Sequence, residues 1–168
     1  STSQDQLPYF FDQITPRPSI GEECFYYLTD WLPPFKEPFL LLNGEGRGPV
    51  NNFAFPSLVA PEYSPSGKTL IAAVVLGKKH LQKKDLEQRV RKQCVEWFGI
   101  QAETWEHIHT ARIGHALPLQ EPPTPNPFLH PKTVQSGVRI IGEHESLPGT
   151  QWALLSGRMA AEAIIAEN

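Results

Sequence analysis

The sequence predicts an α+β fold: a mainly antiparallel, mixed sheet covered by a helix, then a short strand and a long helix set apart. Short apolar runs in the first half are joined by turn-forming residues rather than helix-length crossovers, which favours antiparallel pairing. A single amphipathic helical period follows. A proline-dense stretch then isolates a C-terminal strand, turn and helix.

Residues 1–20 are polar at first and then carry Pro8, Pro16 and Pro18, which predicts an irregular start. Residues 21–29 (GEECFYYLT) read as an aromatic strand, broken by Trp31-Leu32-Pro33-Pro34. Residues 38–43 (PFLLLN) predict a short buried strand, 44–49 a turn, and 50–57 (VNNFAFPS) a further extended segment. Residues 68–76 (KTLIAAVVL) are apolar at every other position and between, so this strand belongs in the middle of its sheet. Ser64-Pro65-Ser66-Gly67 supplies the turn leading into it.

A helix is predicted over residues 85–98. Asp85 and Gln88 form a capping-box pattern, and Leu86, Val90, Cys94 and Trp97 share one face. Gly99 ends it, and a strand over 104–113 follows. Pro118, Pro122, Pro123, Pro125, Pro127 and Pro131 preclude regular structure and predict a rigid connector. Residues 138–142 (VRIIG) then read as a short buried strand, and residues 151–166 as a helix. The expected organisation is 1–117 as one domain, 118–137 as connector and 138–168 as a closing strand–helix unit.

A net charge of −3 and a pI near 6.1 argue against a general nucleic-acid binder. The basic run Lys78-Lys79-His80 and Lys83-Lys84 reads as a solvated approach to the helix. Cys24 and Cys94 form neither a disulfide framework nor a CxxC pair, so a reducing setting is expected, cytoplasmic or on the soluble side of a membrane. No apolar run reaches the roughly 18–20 residues of a membrane span, and no signal-peptide pattern opens the chain. The chain starts Ser1-Thr2-Ser3-Gln4, and its only methionine is Met159. Trimming of an initiator explains that start; so does a fragment of a longer protein, which is the expectation adopted.

Chemistry concentrates at the C-terminal end. A strand ends in Gly142-Glu143, Pro148-Gly149-Thr150 turns the chain, and a helix begins near Gln151. Ala153, Ser156, Gly157, Ala160, Ala161 and Ala163 make that helix narrow. A mid-helix glycine costs about 1 kcal/mol relative to alanine, so Gly157 implies a backbone pressed against it. The helix start exposes unpaired amides and the positive end of the dipole. With the Glu143 carboxylate beside it, this suits an anionic, polyhydroxylated ligand. The same pattern also fits a plain strand–turn–helix capped by Thr150.

Two other patterns point elsewhere. Gly44-Glu45-Gly46-Arg47-Gly48 imitates a dinucleotide-binding fingerprint, but the third glycine falls one position early, Pro49 follows and no helix opens there. It reads as a loop between strands. His107 and His109 are expected on one strand face with His115 nearby, yet no acidic or cysteine ligand has supporting spacing, so no metal site is expected. His144 lies beside Glu143. No serine–histidine–acid or paired-carboxylate motif stands out, and no catalytic side chain is named.

Residues 141–161 (IGEHESLPGTQWALLSGRMAA) resemble the closing FAD motif of flavin amine oxidases, phytoene desaturases and their relatives. The resemblance implies that the terminal strand and helix belong to an FAD-binding Rossmann-type domain. Gly142 and Glu143 would meet the ribityl–phosphate portion, and Thr150, Gln151, Trp152 and Ala153 would form the helix start at the flavin. It further implies that the amides of Trp152 and Ala153 face the flavin O2 side, where the dipole favours the anionic reduced ring. Residues 41–52 (LLNGEGRGPVNN), 65–68 (PSGK) and 116–118 (ALP) are similar to the substrate-domain half of desaturase-like members. Glu143 stands where aspartate is more usual in the family, and Trp152 where glycine is common.

The implied activity is oxidation of an amine or an apolar, polyene-like substrate by hydride transfer to FAD. The family's N-terminal GxGxxG segment is missing from the chain. The expectation is therefore that this segment is the chain's partner, and that the chain alone is inactive and does not hold FAD tightly. Homodimerisation through the exposed face of the last helix is expected in its absence. The rivals are a non-catalytic binding module without cofactor, with a self-contained core, and a zinc hydrolase built on the histidines.

Overall fold

A computed structural model describes residues 18–77, 84–120, 133–135 and 138–167. Most of the proline run and most of the basic run lie outside the described residues. The chain divides into two units, one of Gly21–Gly114 and one of Ser1–Ile20 with His115–Asn168.

The first unit is built on a five-stranded sheet. Its strands are β1 (Ser19–Thr29), β2 (Leu41–Leu42), β3 (Val50–Ala54), β4 (Thr69–Leu76) and β5 (Glu106–Pro118), in the order β2-β3-β4-β1-β5. The β1–β4, β2–β3 and β3–β4 pairs are antiparallel. β5 runs antiparallel to β1, because Tyr27 meets Trp105 while Glu23 meets Arg112 further along. The predicted central strand is thus central, held between β3 and β1.

Strand alternation sorts the side chains into two faces. Phe25 and Tyr27 of β1, Ile71, Ala73 and Val75 of β4, and Val50 and Phe53 of β3 turn toward α2 (Leu86–Phe98) and bury against its Leu86, Val90 and Cys94. Each large apolar side chain buried in this way contributes about 1.5–3 kcal/mol. The opposite face carries Cys24, Tyr26 and Leu28, paired across the ladder with Val74, Ala72 and Leu70.

Several expectations give way to tertiary context. The strand predicted over 38–43 shrinks to Leu41–Leu42, because Phe39 and Leu40 project outward at the sheet edge. The segment predicted as extended over 50–57 ends instead in a helical turn, α1 (Pro56–Val59), with Pro56 in its first turn, where a missing N–H costs nothing. The Asp85–Gln88 capping box does not form: Asp85 makes no side-chain cap, and its φ of −95° and ψ of 8° hold it in a turn. Leu86, Val90 and Cys94 are buried as predicted, but Trp97 is 38% exposed, and Gln93 and Phe98 pack against the core in its place. Gly99 ends α2 at φ 96°.

The glycine-rich loop is a hairpin, organised by Asn43. Its Nδ2 donates to the carbonyls of Arg47 and Val50, and its Oδ1 accepts the Gly46 amide. Gly48 has φ 72°, and a Cβ there would lie 2.3 Å from Gln93 Oε1. That approach lets buried Gln93 accept the Val50 amide at 2.8 Å. The third glycine therefore serves helix–hairpin packing.

In the second unit, β6 (Thr133–Gln135) and β7 (Val138–Arg139) form a two-stranded antiparallel ribbon. The strand predicted over 138–142 thus ends at Arg139, half-buried rather than buried, and Ile140 beyond it is buried. A 3-10 turn, Glu143–Glu145, leads to α3 (Thr150–Ala166), whose last turn meets Arg139 through an ion pair with Glu167. No backbone presses on Gly157 among the described residues. A Cβ there would instead meet the Ile141 side chain at an ordinary 3.7 Å.

Candidate functional site

Gly142, Glu143, Thr150, Gln151, Trp152 and Ala153 come together where β7 runs out and α3 begins. Gly142 takes φ 136°, a conformation that favours glycine, and a Cβ on it would collide with the His144 ring at 2.8 Å. The Gly142 amide donates to Ser156 Oγ at 3.1 Å, and its carbonyl accepts the Ser146 hydroxyl at 3.1 Å. The strand end is thereby tied both to the helix and to the loop. Gln120 Nε2 adds a bond to the Ser146 carbonyl at 2.9 Å.

Glu143 turns back on the helix start: its Oε2 accepts the Gly149 amide at 2.9 Å. Gly149 is the N-cap residue, with φ 130°, and no side chain caps the helix. Thr150 is therefore not the cap that the plain strand–turn–helix reading required. The Trp152 and Ala153 amides both donate to the Gly149 carbonyl at 3.1 Å. The first-turn amides for which the helix itself has no acceptor are those of Thr150 and Gln151.

The arrangement offers a carboxylate fixed on Gly149, two first-turn amides without an acceptor in the helix, and the positive end of a 17-residue helix. Such a site can hold a polyhydroxylated, negatively charged group. Sequence reasoning missed Ser156, Ser146 and Gln120. The only sequence signal was a serine within the small-residue stripe, where it read as packing rather than as an acceptor.

Phe25, Tyr27, Phe53 and Phe55 are core residues beneath α2. The open face instead presents half-buried Tyr26, Leu28, Leu70 and Val74. Burial raises the Cys24 thiol above its ordinary pKa, and the hydrogen bond with Cys24 raises the Tyr26 hydroxyl.

The histidine expectation fails on geometry. His107 packs on Phe25 and Tyr27, whereas His109 stacks on Tyr26, on the other face of the sheet. Among the described residues no group of three or more His, Cys, Asp or Glu is placed to hold a metal ion. No described helix is long and apolar enough to cross a membrane.

The family profile described as flavin containing amine oxidoreductase matches residues 34–165. Among solved structures the fold is similar to an oxidoreductase from Methanosarcina mazei, with a TM-score of 0.56 and 13% identity over 94% of this chain and 38% of that one. It is also similar to reduced UDP-galactopyranose mutase, with a TM-score of 0.52 and 15% identity over 68% of this chain and 24% of that one. The chain thus spans well under two thirds of either structure. No curated protein matches it significantly.

Proposed function

Because this chain belongs to the flavin containing amine oxidoreductase family, we propose that it supplies the substrate-binding sheet and the closing strand–helix of an FAD-dependent oxidoreductase. Residues 1–117 would contribute the substrate domain, 118–137 the connector and 138–168 the last part of the FAD-binding domain. The remaining cofactor contacts would come from a GxGxxG segment of the same polypeptide; the small share of each solved relative that the chain covers supports this division.

The observation that carries the reading is the uncapped start of α3, with Glu143 bound to the Gly149 amide. The residues present fit the cofactor. Gly142 and Gly149 leave out the Cβ atoms that would crowd the turn. The Thr150 and Gln151 amides have no acceptor within the helix, and the Glu143 carboxylate, held by the Gly149 amide, would accept hydroxyl donors. FAD, when bound, accepts the hydride. The chain's residues orient it: Glu143 would hold the ribityl–phosphate part, and the helix start, with the first-turn peptides of Trp152 and Ala153, would place positive potential near the flavin ring. Trp152, where the family commonly has glycine, would crowd the flavin edge.

The substrate would be an amine or an apolar molecule, lying along the sheet face formed by Tyr26, Leu28, Leu70 and Val74. The outer face of α3 presents Leu154, Ala161 and Ile165, with Leu154 71% and Ile165 75% exposed. Such a face fits burial against missing parts of an FAD domain, or against a second copy of the chain in their absence. It speaks against a self-contained binding module. Anaerobic titration of the flavin-loaded polypeptide, made with its upstream segment, with benzylamine and with a conjugated polyene tests the activity. Bleaching of the flavin band by either supports it, and an unchanged band with both contradicts it.

A further inference from the structure

The chain reaches Glu143 through Gly142, and a glycine aims its successor poorly, because its φ and ψ are the least restricted of any residue. Here both dihedrals are set from outside. The Gly142 amide donates to Ser156 Oγ at 3.1 Å, which anchors the peptide before its Cα. The Gly142 carbonyl accepts the Ser146 hydroxyl at 3.1 Å, which anchors the peptide after it. Rotation at Gly142 is therefore fixed between two anchored planes, at φ 136° and ψ 176°, a combination that essentially only glycine adopts.

The two serines come from different elements. Ser156 stands in the second turn of α3, where helical side chains lean toward the helix start, and its hydroxyl meets a residue 14 positions earlier. Alanine has the higher helix propensity, and Ala153, Ala160 and Ala163 take neighbouring positions, so helix formation alone does not account for a serine there. Ser146 ends the 3-10 turn and is 1% exposed, so its hydroxyl is paired with the Gly142 carbonyl in place of water. Beyond this clamp, the Glu143 carboxylate accepts the Gly149 amide at 2.9 Å.

We infer that Ser156, with Ser146, is a positioning residue for the flavin: the two hydroxyls act through Gly142 to aim the Glu143 carboxylate. The inference rests on the proposed reading of Glu143 as a cofactor ligand. Loss of either hydroxyl returns to Gly142 the freedom of a glycine in an open turn, and Glu143 then samples orientations that serve neither the Gly149 amide nor a ligand. The loss falls on Glu143 and on what it binds. It does not fall on the helix, which Ser156→Ala favours.

The test has two arms. In the chain by itself, NMR amide exchange is compared in the wild type, Ser156→Ala, Ser146→Ala and Glu143→Ala, each checked for a native spectrum. Both serine variants are expected to speed exchange at Gly149 about fivefold, with Glu143→Ala, which removes the acceptor outright, as the upper limit. A Gly149 rate unmoved by Ser156→Ala overturns the inference. In the polypeptide made with its upstream segment, equilibrium dialysis of FAD is run as a double-mutant cycle. Ser156→Ala is expected to weaken FAD about fivefold in the wild type and to have no further effect in Glu143→Ala. Equal losses in both backgrounds, or no loss in either, overturn the inference and leave the flavin reading standing, since FAD is bound. Wild-type polypeptide that takes up no FAD, while Gly149 exchange responds as expected, overturns the flavin reading and the inference with it.

Discussion

Oε2 of Glu143 accepts the amide of Gly149 at 2.9 Å, so the carboxylate that opens the 3-10 turn reaches forward to the start of α3. The extra methylene of glutamate over aspartate supplies the reach for this contact. Glu143→Gln can keep the bond through its amide oxygen but loses the charge, whereas Glu143→Ala loses both. In the flavin-loaded polypeptide, equilibrium dialysis should show FAD held about tenfold more weakly in Glu143→Ala, with a smaller loss in Glu143→Gln. Equal affinity in all three proteins would remove Glu143 from the site.

Gly48 is where hairpin and helix come closest. Alanine there would need a left-handed φ and would strike Gln93, so Gly48→Ala is expected to cost about 1–3 kcal/mol in chemical denaturation. In a Gln93→Ala background the clash is gone and only the backbone strain remains, so the added cost of Gly48→Ala should fall. Identical costs in both backgrounds would show that the close approach is not felt.

These two sites divide what the sequence made legible from what it did not. The central strand, α2 and α3 stand out because each carries a sustained periodicity that packing reinforces. Gly142, Glu143 and the start of α3 were legible from a glycine at a strand end and a turn before a long helix. The Glu143–Gly149 bond was not, since it depends on a rotamer. The role of Gln93 was hidden because a buried amide in a helix looks like a surface residue until its backbone partner, Val50, arrives from 43 positions away. His107 and His109 were placed on one face by simple alternation. The structure separates them, with His107 facing Phe25 and Tyr27 while Thr110 Oγ1 lies within hydrogen-bond reach of its ring.

Burial pushes the Cys94 thiol from 9.0 up to about 12, and burial likewise raises the Tyr27 hydroxyl. Both groups are more protonated in the folded chain than in the unfolded one at alkaline pH. Their contribution is complete below pH 9.0 and falls as pH rises toward about 12, by about 1.4 kcal/mol per pH unit for each proton. Urea denaturation between these limits should show a shallower pH dependence in Cys94→Ala than in the wild type, although the variant starts less stable. An unchanged slope would mean that the thiol does not report folding.

Arg91 bonds Glu87 at 2.7 Å and also reaches the carbonyls of Ala102, Glu103 and Trp105, with its guanidinium over the Tyr27 ring. Lysine cannot reproduce this fork. Arg91→Lys is expected to lower stability by about 1–3 kcal/mol in thermal or urea unfolding. A loss below about 0.5 kcal/mol would reduce Arg91 to an ordinary surface pair.

The outer face of α3 predicts concentration-dependent association of the chain by itself. Light scattering after size exclusion should show dimer in the wild type and monomer in Leu154→Lys. A strict monomer at high concentration in both would remove self-association from the account.

The central claim is that residues 142–153 complete a flavin site whose other part lies upstream. The most direct measurement is the visible absorption spectrum of the polypeptide produced with its upstream coding sequence, beside that of the present chain. Flavin bands near roughly 450 nm in the longer protein, absent from the chain alone and lost when residues 142–168 are removed, are the predicted result. A longer protein that stays colourless even after FAD is added, or one that keeps its flavin without residues 142–168, would contradict it.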